Sequence, residues 1–352
     1  MSSNEKHDFS PDDFVMVGNT DETFIDENYI KQSYWKDILL KFIKNKGAIA
    51  GMIVIILIII MAVIGPLLNK HTYDSQIIAH QNLAPRIKTL AQYGIFDGSE
   101  SMSTSMGNVE INNYVSNNQG ITTGLENTYY WFGTDGLGRD IFTRTWSGTR
   151  ISLYIAFIAV LVDMIFGMSY GLISGYFGGR VDMLMQRFSE ILNGIPTLVL
   201  VTLLIIIMKP GLMTITLALA LTGWIGMSRI ARAQVLKLKE QEFILASRTL
   251  GAKDLFIIFK EILPNIFGQL IIMSMFSVPN AIFTEAFLAF VGLGVPQPMA
   301  SLGSLISDAF KSFTTHPYMI IFPVIVLAFI MLSFNLLADG LRDAFDPKMK
   351  EM

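Results

Sequence analysis

Three acidic residues, Asp163, Glu190 and Glu285, fall inside stretches apolar enough to lie in a bilayer. A carboxylate at that depth is costly and is by default a candidate for function. Asn193, Thr197, Asn280 and Thr284 lie in the same stretches and add neutral hydrogen-bonding groups. Such a set can line a hydrated path for a polar solute, serve as proton or ion sites, or pair between helices. Glu190 stands close to Arg187, which favours a local pair. For Asp163 and Glu285 the path and the interhelical pair are equally good readings. Other chemistries lack their residues. There is no cysteine, which excludes disulfides, zinc–thiolate sites and iron–sulfur clusters. His7, His71, His80 and His316 are scattered without ligand spacing, so no metal is expected. No nucleophile–base pair stands at bilayer depth. A Gly-x-x-x-x-Gly-Lys-Ser/Thr phosphate loop is absent, so the chain is not expected to hydrolyse ATP itself. Asp135, Arg139 and Asp140 resemble an active-site cluster but read as a salt-bridged turn outside the membrane.

The elements that must position these residues are membrane spans. The 352-residue chain is 52% hydrophobic and only 16% charged, where a soluble domain carries about a quarter charged residues. The net charge of −3 gives no reason to expect nucleic acid as a partner. Apolar runs of spanning length cover 48–68, 152–176, 183–208, 212–230, 265–290 and 318–338. The third run is interrupted by Asn193, Gly194 and Pro196. The expected class is all-α, a polytopic membrane protein of six transmembrane helices. Lys and Arg gather before the first run, between the fourth and fifth, and at the C-terminus. That bias predicts both termini and the long basic loop on the cytoplasmic side. The acidic opening, to about residue 30, reads as a disordered cytoplasmic tail and not as a secretory signal. Residues 71–129 are rich in Ser, Asn, Gly and Thr and read as a loop-rich external insertion, with short strands near 109–115. Gly171, Gly175, Gly178 and Gly179 read as close-packing and turn positions, and the twenty methionines as apolar filling.

The most informative stretch is polar and runs from Glu242 to Asn265, between two spans. Ala246, Ser247, Gly251 and Ala252 leave a low-relief patch on a short helix that Gly251 can terminate. A second short helix is expected over 253–263, with Leu255, Ile257, Ile258, Phe259 and Ile262, before Pro264 opens the fifth span. By itself the arrangement suits either an ordinary loop or a docking surface for another protein.

Ala246-Ser-Arg-Thr-Leu-Gly251 followed by Ile262-Leu-Pro264 resembles the coupling motif of ABC importer permeases. That motif reads Glu-Ala-Ala, three residues, Gly, then Ile-x-Leu-Pro. Here Leu245 takes the Glu position, Ser247 the second Ala, and Glu261 the place of the Ile. Three further stretches resemble the C-type permeases of peptide importers. They are Tyr130-Trp-Phe-Gly-Thr-Asp-Gly-Leu-Gly-Arg-Asp140, Phe290-Val-Gly-Leu-Gly-Val-Pro-Gln-Pro298 and Phe334-Asn-Leu-Leu-Ala-Asp-Gly-Leu-Arg-Asp-Ala-Phe-Asp-Pro347. Tyr34-Trp-Lys-Asp37 adds a fourth. The resemblance to the C-type oligopeptide/dipeptide ABC permease family covers most of the chain, leaving out the acidic tail and 71–129.

The resemblance implies a type I ABC importer permease fold in a bacterial cytoplasmic membrane. It divides the chain into a tail (1–46), a first helix (47–68), an external segment (69–148), a five-helix permease domain (149–340) with a coupling segment (241–263), and a cytoplasmic end (341–352). It implies ATPase coupling through Glu242, Leu245, Ala246, Ser247, Arg248, Gly251, Ala252, Lys253 and Pro264. The residues proposed for the path are Asp163, Asn193, Asn280, Thr284 and Glu285. The implied partners are a homologous B-type permease, two ATPase subunits of D and F type, an external peptide-binding lipoprotein and the bilayer. ATP and Mg would be used by the ATPases, with no cofactor on this chain. Relatives in the wider family carry oligopeptides, dipeptides, nickel chelates or haem. An ion-coupled secondary transporter, the competing class, would usually show internal repeats, and none is evident.

Overall fold

The computed structural model describes residues 34–104, 107–116 and 122–345. The acidic tail with His7, and the C-terminal positions with Lys348 and Lys350, lie outside the described residues. The chain opens with α1 (Tyr34–Lys44), an amphipathic helix. Its Ile38 and Phe42, four positions apart, are buried against residues of α2 (Lys46–Leu68) and of the last helix. Asn45 breaks the two helices and caps the second, its Oδ1 accepting from the Ala48 N–H at 3.1 Å. α2 is apolar on every side, as a helix surrounded by lipid must be. Ile53, Ile56 and Ile60 face outward, while Ala48, Gly51, Ile58 and Ala62 turn inward.

A cap of irregular chain follows. It holds a helical turn, α3 (Lys88–Ala91), and one hairpin, β1 (Ser99–Thr104) and β2 (Gly107–Asn112), paired antiparallel with Ser99 opposite Asn112. The strand expected to reach 115 ends at Asn112. Tyr114 leaves the sheet because its ring is buried with Leu83 and Tyr130, and its hydroxyl donates to the Ala84 carbonyl at 2.9 Å.

α4 (Ile141–Val162), a π-turn (Asp163–Gly167) and α5 (Met168–Phe177) form one continuous span, Ile141–Phe177. It starts about three turns before the apolar run predicted from 152. Thr143, Arg144 and Thr145 hide that start from hydropathy, yet all three are buried beneath the cap. Asp140 fixes the end, accepting from the Thr143 N–H at 2.8 Å. Next come α6 (Gly179–Asn193) and α7 (Thr197–Met208), bent by 77° relative to each other. The third predicted run is therefore a broken pair. Pro196 has no N–H to donate and disfavours helical backbone at Ile195.

α8 (Leu212–Leu238) leads to α9 (Glu242–Thr249). α10 (Asp254–Phe256), a π-turn (Ile257–Ile262), α11 (Leu263–Leu288) and a second π-turn (Ala289–Leu293) then run as one helix, Asp254–Leu293. The separate helix expected over 253–263 is thus the first part of the fifth span. Pro264 does not break it, because the widened π-turn precedes the proline. The short α12 (Leu302–Phe310) and the long α13 (Tyr318–Phe345) complete the chain. Among the described residues, five helices are long and apolar enough to cross a membrane, or six if the bent pair counts as one span.

Three helix pairs stand out in the bundle. α13 packs on α2 and α11, and α5 packs on α8. Glycines allow close approach in both α13–α2 and α5–α8: a Cβ at Gly340 would strike Ala48, and one at Gly51 would stand 2.7 Å from the Ser333 carbonyl oxygen. Gly167, Gly171 and Gly175, spaced by four, present bare backbone to α8. A Cβ at Gly167 would stand 2.5 Å from the Trp224 carbonyl oxygen, and one at Gly175 2.8 Å from the Val235 Cβ. At Gly171 it would strike the Ser228 carbonyl.

The cap is tied to the bundle by a buried ion network. Arg139 Nε donates to Asp135 at 2.6 Å and its Nη1 to Gln297 Oε1 at 3.1 Å. Arg144, 1% exposed, donates to the Tyr73 carbonyl at 2.8 Å and stands 3.7 Å from Asp135. The turn read from the sequence is thus an Asp135–Arg139 pair, while Asp140 acts as a helix cap. His316 and Glu100 meet at 2.8 Å and pin the hairpin to the start of α13. His80 Nδ1 lies 2.6 Å from the Tyr130 hydroxyl, and His71 stacks on the same ring. Burial first, and His71 second, lowers the His80 pKa from 6.5.

Gly171→Leu forces α5 from α8 at a site with no free volume, where overpacking costs about 1–3 kcal/mol or more. The detergent-solubilised protein should melt several degrees lower, while Gly211→Leu, at an extended position that meets nothing within 4 Å, changes the melting point much less. For His80 the folded cap prefers the neutral ring. Its contribution to stability is complete above the unfolded pKa of 6.5 and is lost as pH falls toward the folded value. Hydrogen exchange across 71–91 and 125–134 should accelerate as pH drops below about 6.5, after correction for intrinsic rates, and His80→Gln should flatten that dependence.

Candidate functional site

α9 stands at the end of the bundle where the basic residues gather. Its sequence allows one buried side chain: Ile244 is 0% exposed and enters a cluster with Tyr176 of α5, Val235 of α8, and Ile257 and Ile258 of the π-turn. Burying one such side chain stabilises by about 1.5–3 kcal/mol, which makes Ile244 the anchor of the segment. The helix ends in a Schellman turn. Ala252 N–H donates to the Ser247 carbonyl at 3.0 Å and Gly251 N–H to the Arg248 carbonyl at 2.9 Å. Gly251 has φ +81, a conformation that side chains other than glycine rarely adopt, and nothing lies within 4 Å of its missing Cβ.

Side-chain bonds fix the elbow. Ser247 Oγ donates to Glu261 Oε1 at 2.6 Å, and the Tyr176 hydroxyl donates to Asp254 at 2.7 Å. The Arg248 guanidinium lies 4.8 Å from the centre of the Tyr176 ring. Arg232 of α8 grips Asp182 of α6 with two bonds, Nε to Oδ1 at 2.6 Å and Nη2 to Oδ2 at 2.5 Å. Glu242, Leu245, Ala246, Gly251, Lys253 and Pro264 are exposed or half-buried, as is Arg248, and Ala252 is half-buried. Leu250 is 88% exposed, with Phe243, Leu255, Phe256 and Phe259 also uncovered. The result is a rigid, partly apolar knob held to three helices by one isoleucine and a few polar bonds. Tyr176, Asp182 and Arg232 carry no motif, and only their position beside glycines and basic residues hints at them.

The second feature is a polar cavity of about 520 Å³ between α4, α7, α8 and α11. Asp163, Asn193, Asn280 and Thr284 all line it, joined by Thr197, Thr222, Gly223, Gly226 and Ser277. Asp163 opens the π-turn, where the wider helical turn displaces the backbone. Gly223 on α8 leaves room for its carboxylate: a Cβ there would stand 2.9 Å from Asp163 Oδ1. Glu285 does not share this cavity. It is fully buried on another face of α11 and accepts from Ser152 Oγ at 3.0 Å, and Ser152 in turn accepts from the Leu302 N–H at 3.1 Å. Its contacts here are of the interhelical kind. Glu190 pairs with Arg187 at 2.8 Å on an exposed helix face. Among the described residues no group of His, Asp and Glu could hold a metal ion.

A bundle of spans with a bent third member, an elbow helix at one end and a polar cavity inside defines a membrane permease. Residues 167–351 match the family described as the inner membrane component of binding-protein-dependent transport systems, and residues 33–85 match the N-terminal transmembrane domain of oligopeptide transport permease C. The chain belongs to this family of binding-protein-dependent permeases. It is 41% identical over 319 residues to the oligopeptide transport system permease protein OppC of Bacillus subtilis, covering 91% of each chain. It is 39% identical over 350 residues to the dipeptide transport system permease protein DppC of the same organism, covering 98% of this chain and 96% of the relative. DppC of Lactococcus lactis subsp. cremoris is also 39% identical over 350 residues, covering 96% of this chain and 98% of the relative. Among solved structures, an inward-facing MetNI methionine ABC transporter contains a chain of the same fold, with TM-score 0.50, 18% identity, and coverage of 58% of this chain and 97% of that one.

Removing the anchor should free the elbow. Ile244→Ala leaves a cavity in a filled cluster, at a cost of about 2–5 kcal/mol. Hydrogen exchange over 242–252 should rise at least tenfold in the variant, with exchange in α2 and α13 unchanged.

Proposed function

We propose that this chain is the C-type permease of an ATP-driven importer of oligopeptides or dipeptides. The observation that carries the reading is the pairing of an exposed, rigidly seated α9 with a polar cavity reached through the same helices. The relatives support the solute: those named above are oligopeptide and dipeptide permeases. The chain works without catalysis of its own. Two ATPase subunits, of D and F type, hydrolyse ATP with Mg, and a homologous B-type permease supplies the other half of the path. A peptide-binding lipoprotein delivers the solute from outside. The protein sits in the bacterial cytoplasmic membrane with both termini, α9 and the 241–263 segment on the cytoplasmic side, and with 69–148 outside. The first helix and the five-helix unit over 149–340 act together as the gate half.

Under this reading, Glu242, Leu245, Ala246, Ser247, Arg248, Gly251, Ala252, Lys253 and Pro264 form or flank the ATPase contact. Leu250 and Phe243 supply apolar surface for it. Closure of the ATPase pair pushes on α9. Ile244 and Tyr176 pass the push to α5, and the glycine contact makes α5 and α8 move as one body. The cavity lies between that body and α11, so the same movement changes its access. ATP favours one of two arrangements of a bistable bundle, and the bias equals its difference in affinity for them. The path residues in this scheme are Asp163, Asn193, Asn280 and Thr284.

The test uses the assembled transporter in liposomes. Gly251→Trp puts a bulky side chain on a left-handed turn at the proposed contact. Membrane insertion should persist, while peptide uptake per ATP hydrolysed falls at least tenfold. Normal coupled uptake by this variant would show that α9 is not the ATPase contact.

A further inference from the structure

Asp163 is the one charged side chain lining the polar cavity. It is 6% exposed, and its Oδ1 has no hydrogen-bond partner among the described residues. The space around that oxygen comes from Gly223, since a side chain there would collide with it. A buried, unpartnered carboxylate oxygen is expensive and calls for a partner.

The rest of the wall shows the sign of that partner. A hydroxyl has one hydrogen to donate and two lone pairs to offer. Thr222 donates to the Ala218 carbonyl at 3.4 Å, Ser277 to Met273 at 3.3 Å and Thr284 to Asn280 at 2.8 Å. Thr222 and Thr284 spend their hydrogen on their own helices and retain only acceptor capacity for the cavity, while Ser277, whose bond to Met273 is long, also reaches the Asp163 carboxylate. Ser277, Asn280 and Thr284 follow the three- and four-residue spacing of one face of α11. Among the described residues no Lys, Arg or His lines the space. Four hydroxyls, those of Thr197, Thr222, Ser277 and Thr284, and a carboxylate thus offer acceptors, with Asn193 and Asn280 able to add amide oxygens. An anionic group would find only neutral donors here, the two amides and the Thr197 hydroxyl, and would face the Asp163 carboxylate. A primary ammonium, with three donors and no acceptor, suits the wall.

We infer that Asp163 and the acceptor hydroxyls around it bind a primary ammonium group of the transported solute, namely the N-terminal ammonium of a peptide. The inference rests on the peptide-import reading and specifies which end of the peptide this half of the path holds. Asp163 supplies the charge, Gly223 makes the room, and the π-turn carries the side chain to the cavity wall. Asp163 Oδ1, which Ser277 does not satisfy, then gains a partner while solute is in transit.

The experiment is ATP-driven uptake by the complete transporter in liposomes, with its binding protein saturated by either tri-alanine or N-acetyl-tri-alanine. Asp163→Asn should lower tri-alanine uptake about tenfold or more, the size of one lost charge-assisted bond, and change that of the acetylated peptide about twofold or less. Asn280→Asp, added to Asp163→Asn, returns a carboxylate to the same cavity and should restore at least part of the loss. Asn280→Lys, with Asp163 intact, puts a competing cation there and should depress tri-alanine uptake selectively, a readout that does not depend on Asp163→Asn folding. Uptake of N-acetyl-Ala-Lys-Ala identifies the source: sensitivity to Asp163→Asn would extend the site to lysine side chains. Equal losses for free and acetylated tri-alanine, or unchanged tri-alanine uptake in Asp163→Asn, overturn the assignment. Failure of the wild-type transporter to take up either peptide refutes peptide import itself, a different result.

Discussion

The contact between α5 and α8 is the constraint on which the two functional regions depend. In lipid, helices gain little by burying apolar surface against each other, so close van der Waals contact has to hold them. Gly167, Gly171 and Gly175 allow that approach, with the Trp224 and Ser228 carbonyls and Val235 lying directly opposite. At one end of the contact, the π-turn and Gly223 set the wall of the cavity. At the other end, Tyr176 and Val235 form the socket for Ile244 of α9. One seam thus joins the elbow to the cavity, and neither can shift far without the other.

The opposite end of the bundle follows a different logic. Hydrogen bonds and charges do there what apolar packing cannot. Arg139 and Arg144 are nearly inaccessible to solvent, yet each has carboxylate or carbonyl partners. Breaking one member of such a buried set leaves the other uncompensated, so the network is more costly to disturb than to build. It ties the chain before α4 to the loop after α11, while His316 and Glu100 tie the hairpin to α13. The cap is consequently part of the bundle despite its polar, glycine-rich sequence.

Much of this was legible in the sequence because the bilayer leaves a chain few options. Every backbone group must find a partner within the span, so long apolar runs have to be helices. The Gly194–Pro196 break was visible as chemistry, and the structure shows its size as a 77° bend. Hydropathy could not place the start of α4, because Thr143, Arg144 and Thr145 are polar residues buried in protein and not in lipid. Nor could it separate Asp163 from Glu285: both are acidic residues in apolar runs, and only the faces on which they lie distinguish them. The end of the elbow was legible from Gly251, whereas the continuous helix through Pro264 was not, since a π-turn has no reliable sequence signature.

Those π-turns carry a consequence for how the protein can change over time. Each holds one residue more than a regular helix needs, and an α-helix advances about 100° per residue. Deleting one of the three residues 164–166 would let the helix close into regular geometry. It would leave the flanking helices close to their original phase, because the wide turn absorbs the extra residue, but would remove the displaced backbone that carries Asp163 to the cavity wall. Swaps of similar apolar side chains in this stretch cost little by comparison. At Met164, Ile165 and Phe166 selection therefore guards chain length above residue identity, whereas Asp163 and Gly167 are held in type by the cavity and the glycine seam.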